Sequence, residues 1–389
     1  MENVYSYLKW RGDLCLSASA FNEVDSLILS LISYVDFDEI VPGIESKESI
    51  TLKEASDRYW SVHENVDSSR ATAFLAKPPL LLKELAETKR FGEIRIGKYV
   101  NRIDTQMEKQ FSASTFQLND SSIYLAYKGT DATIVGWKED FNMIFTPEIP
   151  AQSEAVEYLE KTFNWRYRNI RIGGHSKGGN LAIYSSIKCN KRIRDRIISI
   201  HNFDGPGFTK EILISDEYSE MLPRIVNYLP QASVIGMLLE HTGERKIIKS
   251  SQFGGVLQHD PFSWEVEALG FFSLKELDRS SLMMDSIIKE WINKLDMQQR
   301  ESFVDALFGI LSDIGIEKTS DFSVALSGRL KAFVKSISAM PAETKEIITN
   351  AMGLFFSESR NAVKKELKEN LKLLDRQRLE GLRQNNKRN

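Results

Sequence analysis

The chain has 389 residues, 42% hydrophobic and 27% charged, the make-up of an ordinary globular protein and not of a disordered or collagen-like one. With 51 Lys and Arg against 54 Asp and Glu, the net charge of -3 offers no chain-wide basic field for nucleic acid. Two isolated cysteines, Cys15 and Cys189, argue against a disulfide framework or a structural zinc site.

Residues 1–21 mix Glu2, Lys9, Arg11 and Asp13 among their apolar residues, so they do not read as a secretion leader. No stretch reaches the ~18 to 20 apolar residues that span a bilayer, and the expected location is the cytoplasm. The first hundred residues read mostly as helices. Val24, Leu27, Ile28, Leu31 and Ile32 repeat at helical spacing, with Asn22 or Asp25 as the cap, and Val41-Pro42-Gly43 ends the pattern. Helices are also expected over 52–62 and 78–88, the latter opening on prolines. SIYLAY, at 122–127, is the first core strand, broken by Lys128-Gly129-Thr130. A helix at 152–162 precedes a strand at 169–173 that runs into Gly174-His175-Ser176-Lys177-Gly178-Gly179, and 180–188 is helical again. The next strand, 197–203, ends at Asp204-Gly205-Pro206-Gly207. Strand, helix, strand in this order predicts a parallel sheet and an α/β fold.

Further strands are expected at 224–228 and 246–250, with a helix at 234–240 between them. After Gly270 the strand signals cease, and 282–294, 300–314, 320–338 and 342–356 read as helices. The division predicted is a domain over 1–275 and a helical C-terminal region over 276–389. The last stretch, 357–389, carries ten Lys and Arg against five Asp and Glu and reads as a solvated terminal helix.

Gly174-His175-Ser176-Lys177-Gly178 fits G-x-S-x-G, the turn that lifts a serine hydroxyl above a sheet between a strand and a helix. A structural glycine turn is the bland alternative, but the flanking strand and helix favour the elbow. The hydroxyl needs a base. Of the five histidines, His175 lies inside the turn, His63 precedes the sheet, and His201 sits in an apolar strand. His241 and His259 both follow the serine. His259 is preferred because it lies in a loop after the last strand, whereas His241 falls in or just after a predicted helix. For the acid, Asp204 at the end of a strand is preferred over Glu240 and Asp260, against the alternative that it only bonds its own turn. Two backbone N–H groups would complete an oxyanion hole, one from Lys177 after the nucleophile and one from Thr130 in the turn after the 122–127 strand.

Tyr127-Lys128-Gly129-Thr130, Trp137-Lys138-Glu139-Asp140-Phe141 and the Gly174–Gly179 segment together resemble the class 3 lipases. There an Arg-Gly-Thr/Ser turn supplies the oxyanion hole and a Gly-His-Ser-Leu-Gly-Gly elbow the nucleophile. Tyr7-Leu8-Lys9-Trp10-Arg11-Gly12-Asp13, Asn202-Phe203-Asp204-Gly205-Pro206-Gly207-Phe208 and Gln258-His259-Asp260-Pro261-Phe262-Ser263-Trp264 extend the likeness over about residues 1–275, to a bacterial family of lipase-like α/β hydrolases without an assigned function. The resemblance implies an α/β-hydrolase fold with a mostly parallel central sheet, a helical N-terminal segment and a helical C-terminal region.

Two departures stand out. Lys177 replaces the lipase leucine, a cation that either binds an acidic leaving group or covers the sheet edge. Leu229 and Gln231 flank Pro230 where the lipase acid would precede that proline. The expected activity is cleavage of a carboxylic ester, of a lipid or other acyl compound, through Ser176, His259 and Asp204, with Thr130 and Lys177 as oxyanion donors and no metal or cofactor. The rival expectations are a non-catalytic scaffold that binds a protein partner, and an acyltransferase.

Overall fold

Side-chain caps start the N-terminal helices. Asn3 caps α1 (Val4–Arg11), and Asn22 caps α2 (Glu23–Ile32) by accepting from the N–H groups of Val24 and Asp25, while Asp25 accepts in return from Asn22 N–H. Thr51 and Glu54 make the same reciprocal pair at α3 (Leu52–Val62), and prolines occupy the first turn of α4 (Lys77–Ala86). The computed structural model describes residues 1–63, 74–104, 109–118, 120–130, 138–140, 142–143, 146, 148–255, 257–279, 281–282, 342 and 345.

The N-terminal helices are tied together by charge as well as by apolar packing. Arg90, fully buried, donates to both carboxylate oxygens of Asp25 at 2.6 and 2.5 Å and to the carbonyls of Leu14, Ser19 and Ala20. Tyr7 of α1 donates to the same carboxylate at 2.8 Å. A buried ion pair survives desolvation only when its remaining donors and acceptors are satisfied, as they are here.

The sheet has nine strands in the order β1 (Ile50–Thr51), β2 (Arg95–Asp104), β3 (Lys109–Gln117), β4 (Ile123–Tyr127), β5 (Ile170–His175), β6 (Ile197–Phe203), β7 (Ile225–Pro230), β8 (Glu244–Ile248) and β11 (Ser273–Leu274). β9 (Val266–Glu267) and β10 (Gly270–Phe271) form a separate two-stranded ribbon. Strands β4 to β8 run parallel. The β1–β2, β2–β3, β3–β4 and β8–β11 pairings are antiparallel. The expectation of a mostly parallel sheet is therefore corrected to a mixed one, with four parallel and four antiparallel pairings.

The source of that correction is the β2–β3 hairpin, which the sequence does not announce. In β3 the small polar residues Ser112, Ser114 and Thr115 are buried between Phe111, Ala113 and Phe116, so the apolar alternation that marks a strand is broken by hydroxyls. Two smaller corrections follow the same pattern. The segment around 234–240 holds a single 3-10 turn, Ile235–Met237, in place of a helix, and strand pairing continues past Gly270.

Period-two alternation splits the core into two layers. Tyr124 and Ala126 of β4 join α2, α3 and α4 on one face, whereas Ile123, Leu125 and Tyr127 join α5 (Pro150–Thr162) and α6 (Lys177–Lys188) on the other. Beyond β11, Leu277 packs against the cluster of Leu229, Met237 and Ile247. Asp278 N–H donates to Gln231 O at 2.7 Å and Ser281 Oγ to Ser233 O at 2.5 Å. The predicted helices at 300–314 and 320–338, and the tail at 357–389, lie outside the described residues. Only the first residue of the 282–294 helix and Ala342 and Lys345 of the 342–356 helix fall within them. Among the described residues no helix is long and apolar enough to cross a membrane.

Candidate active site

The parallel strands all end at one edge of the sheet, and the residues singled out from the sequence stand along it. This edge is where open α/β sheets place their ligands. Ser176 sits between β5 and α6 with φ 58° and ψ -135°, a left-handed conformation that costs an L-residue on the order of 1–3 kcal/mol and persists only where its surroundings enforce it. The enforcement is visible. Ser176 N–H donates to Phe203 O of β6 at 2.9 Å, and Gly179 N–H donates to Ser176 O at 2.9 Å. A Cβ on Gly178 would collide with the Tyr127 carbonyl of β4, so only glycine lets α6 start this close to the sheet.

Asp204 repeats the device one strand further on. It has φ 52°, and its N–H donates to Tyr228 O of β7 at 2.8 Å. Its carboxylate is fully buried. Oδ2 accepts from His259 Nδ1 at 2.7 Å, and Oδ1 accepts from Ser233 Oγ at 2.5 Å and Gly236 N–H at 3.1 Å. Asp204 thus bonds a neighbouring loop and the His259 ring, not its own turn. With Nδ1–H committed to the carboxylate, Nε2 is the ring nitrogen of His259 left to exchange a proton.

The loop carrying His259 is held by its neighbours in sequence. Gln258 accepts from Ala232 N–H at 2.8 Å, Asp260 caps Phe262 N–H and pairs with Lys77, and the buried Trp264 donates from its indole to Gln258 O at 2.8 Å. The Ala232 and Lys77 contacts tie the His259 loop to the turn after β7 and to α4, while the other two brace it internally.

The other acids and histidines lie elsewhere. Glu240 faces Lys210 at 3.8 Å and bonds Phe208 through its backbone. A cavity of about 170 Å³ is lined by Met237, Leu239, Glu240, His241 and Arg245, and neither Ser176 nor His259 borders it. His63 stacks on Tyr59 at the end of α3, and His201 bonds Tyr228 at 3.0 Å, with burial pushing its imidazole down to about 3.

The turn after β4 comes to the serine directly. A Cβ on Gly129 would strike the Tyr34 hydroxyl and His175 O and lie 3.0 Å from Ser176 Cβ, so Thr130 follows a backbone that touches the elbow. Thr130 Oγ1 lies 2.6 Å from each oxygen of Asp140. Burial pushes the Asp140 carboxyl up to about 6 from its ordinary 3.8, against the pull of Lys177 and the Thr130 hydroxyl. The raised value means that the folded state favours the protonated acid. This contribution to stability is complete below about pH 4 and is lost as pH rises through about 6. Asp140→Asn is expected to remove that slope, seen as a wild-type-minus-variant unfolding free energy that falls across this window and is flat on either side of it.

Lys177 corrects the sequence expectation. Its side chain is buried and does not reach solvent. Nζ is buried at 2.6 Å from Glu139 Oε2 and 3.0 Å from Gln110 O, and lysine and glutamate are each 1% exposed. Glu139 also accepts from Gln110 N–H at 3.1 Å and Ala151 N–H at 3.2 Å. The pair clamps the first residue of α6 to β3 and α5. Lys177→Leu leaves Glu139 buried and uncompensated, and the expected loss is about 3–5 kcal/mol, read from denaturant unfolding. An unchanged midpoint would remove the clamp from consideration.

Trp137 and Phe141, which flank Lys138-Glu139-Asp140 in the sequence, lie outside the described residues. A family model described as Mbeg1-like matches residues 85–309, more than half of the chain. The chain belongs to the Mbeg1-like family. No curated protein matches it. The Mbeg1-like match encloses Ser176, Asp204, His259, Thr130 and Lys177, and it begins after α1 to α3 and most of α4.

The contacts of His175 were not legible from the sequence. His175 was set aside because the turn points it away from the serine, and its ring is indeed buried beneath the elbow. It is the His259 loop that it meets, with Nε2 2.8 Å from His259 O and ring centroids 4.4 Å apart. Its place beside the serine was the only hint, and spacing alone carries no information about the far side of the ring.

Proposed function

We propose that this Mbeg1-like chain is a serine hydrolase of the α/β-hydrolase type that cleaves a carboxylic ester, of a lipid or another acyl compound, through an acyl-enzyme on Ser176. The observation that carries the reading is the 2.7 Å contact between His259 Nδ1 and the buried Asp204 carboxylate, at the sheet edge where Ser176 stands in its enforced left-handed turn. In this reading His259 Nε2 takes the proton from Ser176 Oγ as that oxygen bonds the ester carbonyl carbon. The N–H groups of Thr130 and Lys177 receive the negative charge on the carbonyl oxygen. The carbon–oxygen bond to the alcohol then breaks and His259 delivers the proton to the departing alkoxide. Water repeats the sequence in reverse, its oxygen bonding the acyl carbon as Ser176 Oγ leaves and recovers a proton from the same ring.

The likeness to class 3 lipases supports the reaction class. The proposed setting is the cytoplasm, where the unpaired Cys15 and Cys189 would stay reduced. The test is a panel of esters of graded acyl length together with a serine-reactive fluorophosphonate. Turnover and labelling that both depend on Ser176 support the assignment, and labelling that is absent or that survives in Ser176→Ala removes it.

A further inference from the structure

The His259 carbonyl is held by a ring that the ester-hydrolysis scheme does not use. His175 Nε2 lies 2.8 Å from that carbonyl, and Nδ1 lies 2.9 Å from the Tyr34 hydroxyl. A carbonyl oxygen only accepts, so Nε2 carries a proton. Burial, and the neighbouring His259, push the imidazolium form of His175 well below the ordinary histidine range, so the ring is neutral. A neutral ring has one N–H, Nδ1 is therefore the acceptor, and the Tyr34 hydroxyl donates to it. The longer 3.3 Å approach of the same hydroxyl to His175 O is the secondary contact.

We propose that Tyr34 and His175 are positioning residues for the base: Tyr34 holds the His175 ring by donating to Nδ1, and the Nε2–H of that ring pins the His259 carbonyl and so aims the His259 ring. The inference rests on the serine-hydrolase reading for its catalytic consequence but not for its structural content. Two features suit the ring to this task. It directly precedes Ser176, so one rigid segment carries the nucleophile and locates its partner. It also stays uncharged 4.4 Å from the His259 ring, which must itself become positive during the reaction, and a second cation there would oppose that step.

Among the described residues, the rings that face His175 are Tyr34 from the turn after α2, His259 from the loop after β8, and Phe74, whose ring lies 5.4 Å away. Phe74 in turn meets Tyr34 edge-on at 4.9 Å and Phe262 of the base loop at 6.2 Å. Tyr34 and Phe74 both lie before residue 85, so segments outside the Mbeg1-like match complete the support of a residue inside it. Reversal of the tautomer would turn a lone pair on Nε2 toward the carbonyl and push the loop away.

The test uses the full chain labelled with ¹⁵N in its imidazoles. The expected wild-type spectrum shows His175 neutral between pH 5 and 8 with its proton on Nε2, and in Tyr34→Phe the Nδ1 resonance shifts as its hydrogen-bond donor is lost. Ester hydrolysis is followed in parallel. Tyr34→Phe is expected to lower kcat about tenfold with KM within twofold, the value of one buried hydrogen bond. His175→Phe should lower kcat further, and His175→Gln, which retains an N–H for the carbonyl, should recover most of that loss. A proton found on Nδ1, a ring that titrates in this range, or a Tyr34→Phe protein with unchanged Nδ1 resonance and kcat each overturns the proposal. If wild type shows no Ser176-dependent turnover, the hydrolase reading falls while the ¹⁵N spectrum still decides the relay.

Discussion

Ser176→Ala is expected to reduce ester turnover about a millionfold and to abolish fluorophosphonate labelling, while the fold survives. The reason for the size is that the proposed mechanism has no second nucleophile: the covalent bond to the acyl carbon forms through Ser176 Oγ or not at all. The reason for the intact fold is that the turn is enforced by backbone bonds, from Ser176 N–H to Phe203 O and from Gly179 N–H to Ser176 O, neither of which uses the hydroxyl. Unfolding should therefore occur within a few degrees of wild type. His259→Ala is expected to be nearly as damaging, and the double variant scarcely worse than either, because nucleophile and base act as one unit. Additive losses would show two independent contributions and would sink the assignment, as would turnover that persists in Ser176→Ala at equal protein concentration.

The second large effect is expected for Asp204→Asn. Asp204 accepts from three donors, the His259 ring, the Ser233 hydroxyl and Gly236 N–H. An asparagine has one acceptor oxygen and one NH2 group, so either orientation of its amide sets donor against donor in a fully buried site. If the NH2 group faces His259, the ring must present its other tautomer, and Nε2 then carries the proton and cannot take one from Ser176. A change of this kind costs about 10⁴ in turnover. If the NH2 group faces Ser233 and Gly236 instead, activity is better preserved and stability falls by about 1–3 kcal/mol for the unmet bonds. Measuring kcat/KM and the denaturation midpoint on the same samples separates the two orientations. Glu240→Gln, which alters an acid facing Lys210, is the control and should stay near wild type in both. The proposed acid is misplaced if Glu240→Gln proves the more damaging change.

Several elements were legible from the chain because their causes are local. The helix expected around Val24–Ile32 with Asn22 or Asp25 as its cap is α2, capped by Asn22 with Asp25 bonding back, and the 52–62 expectation matches α3. β6 spans Ile197–Phe203, the run read from its apolar residues, and the break at Asp204 follows at once. The elbow was legible for the same reason: a glycine is needed where a strand turns into a helix beside another strand's carbonyl, and this steric demand leaves its mark at Gly178 whatever the rest of the chain does. The sequence by itself thus determined the α/β order, the parallel strands from β4 to β8, and which serine stands at their edge.

Other features depended on partners far away in the chain. β2 and β3 were missed because Ser112, Ser114 and Thr115 owe their burial to the layers packed on either side of the strand and not to their own polarity. Lys177 read as a cation that binds a leaving group or covers the sheet edge, and only the structure brings Glu139, 38 residues away, to neutralise it inside the protein. Asp204 and Glu240 were alternatives on paper, and they part only because β6 ends beside the loop that brings back His259, 55 residues later, whereas Glu240 turns toward Lys210. The tautomer of His175 rests on a carbonyl 84 residues away. Caps and glycine turns act over a few bonds and so are written in neighbouring residues, whereas charge pairing, burial of polar groups and the aim of a ring are settled by whichever segments the tertiary structure brings into contact.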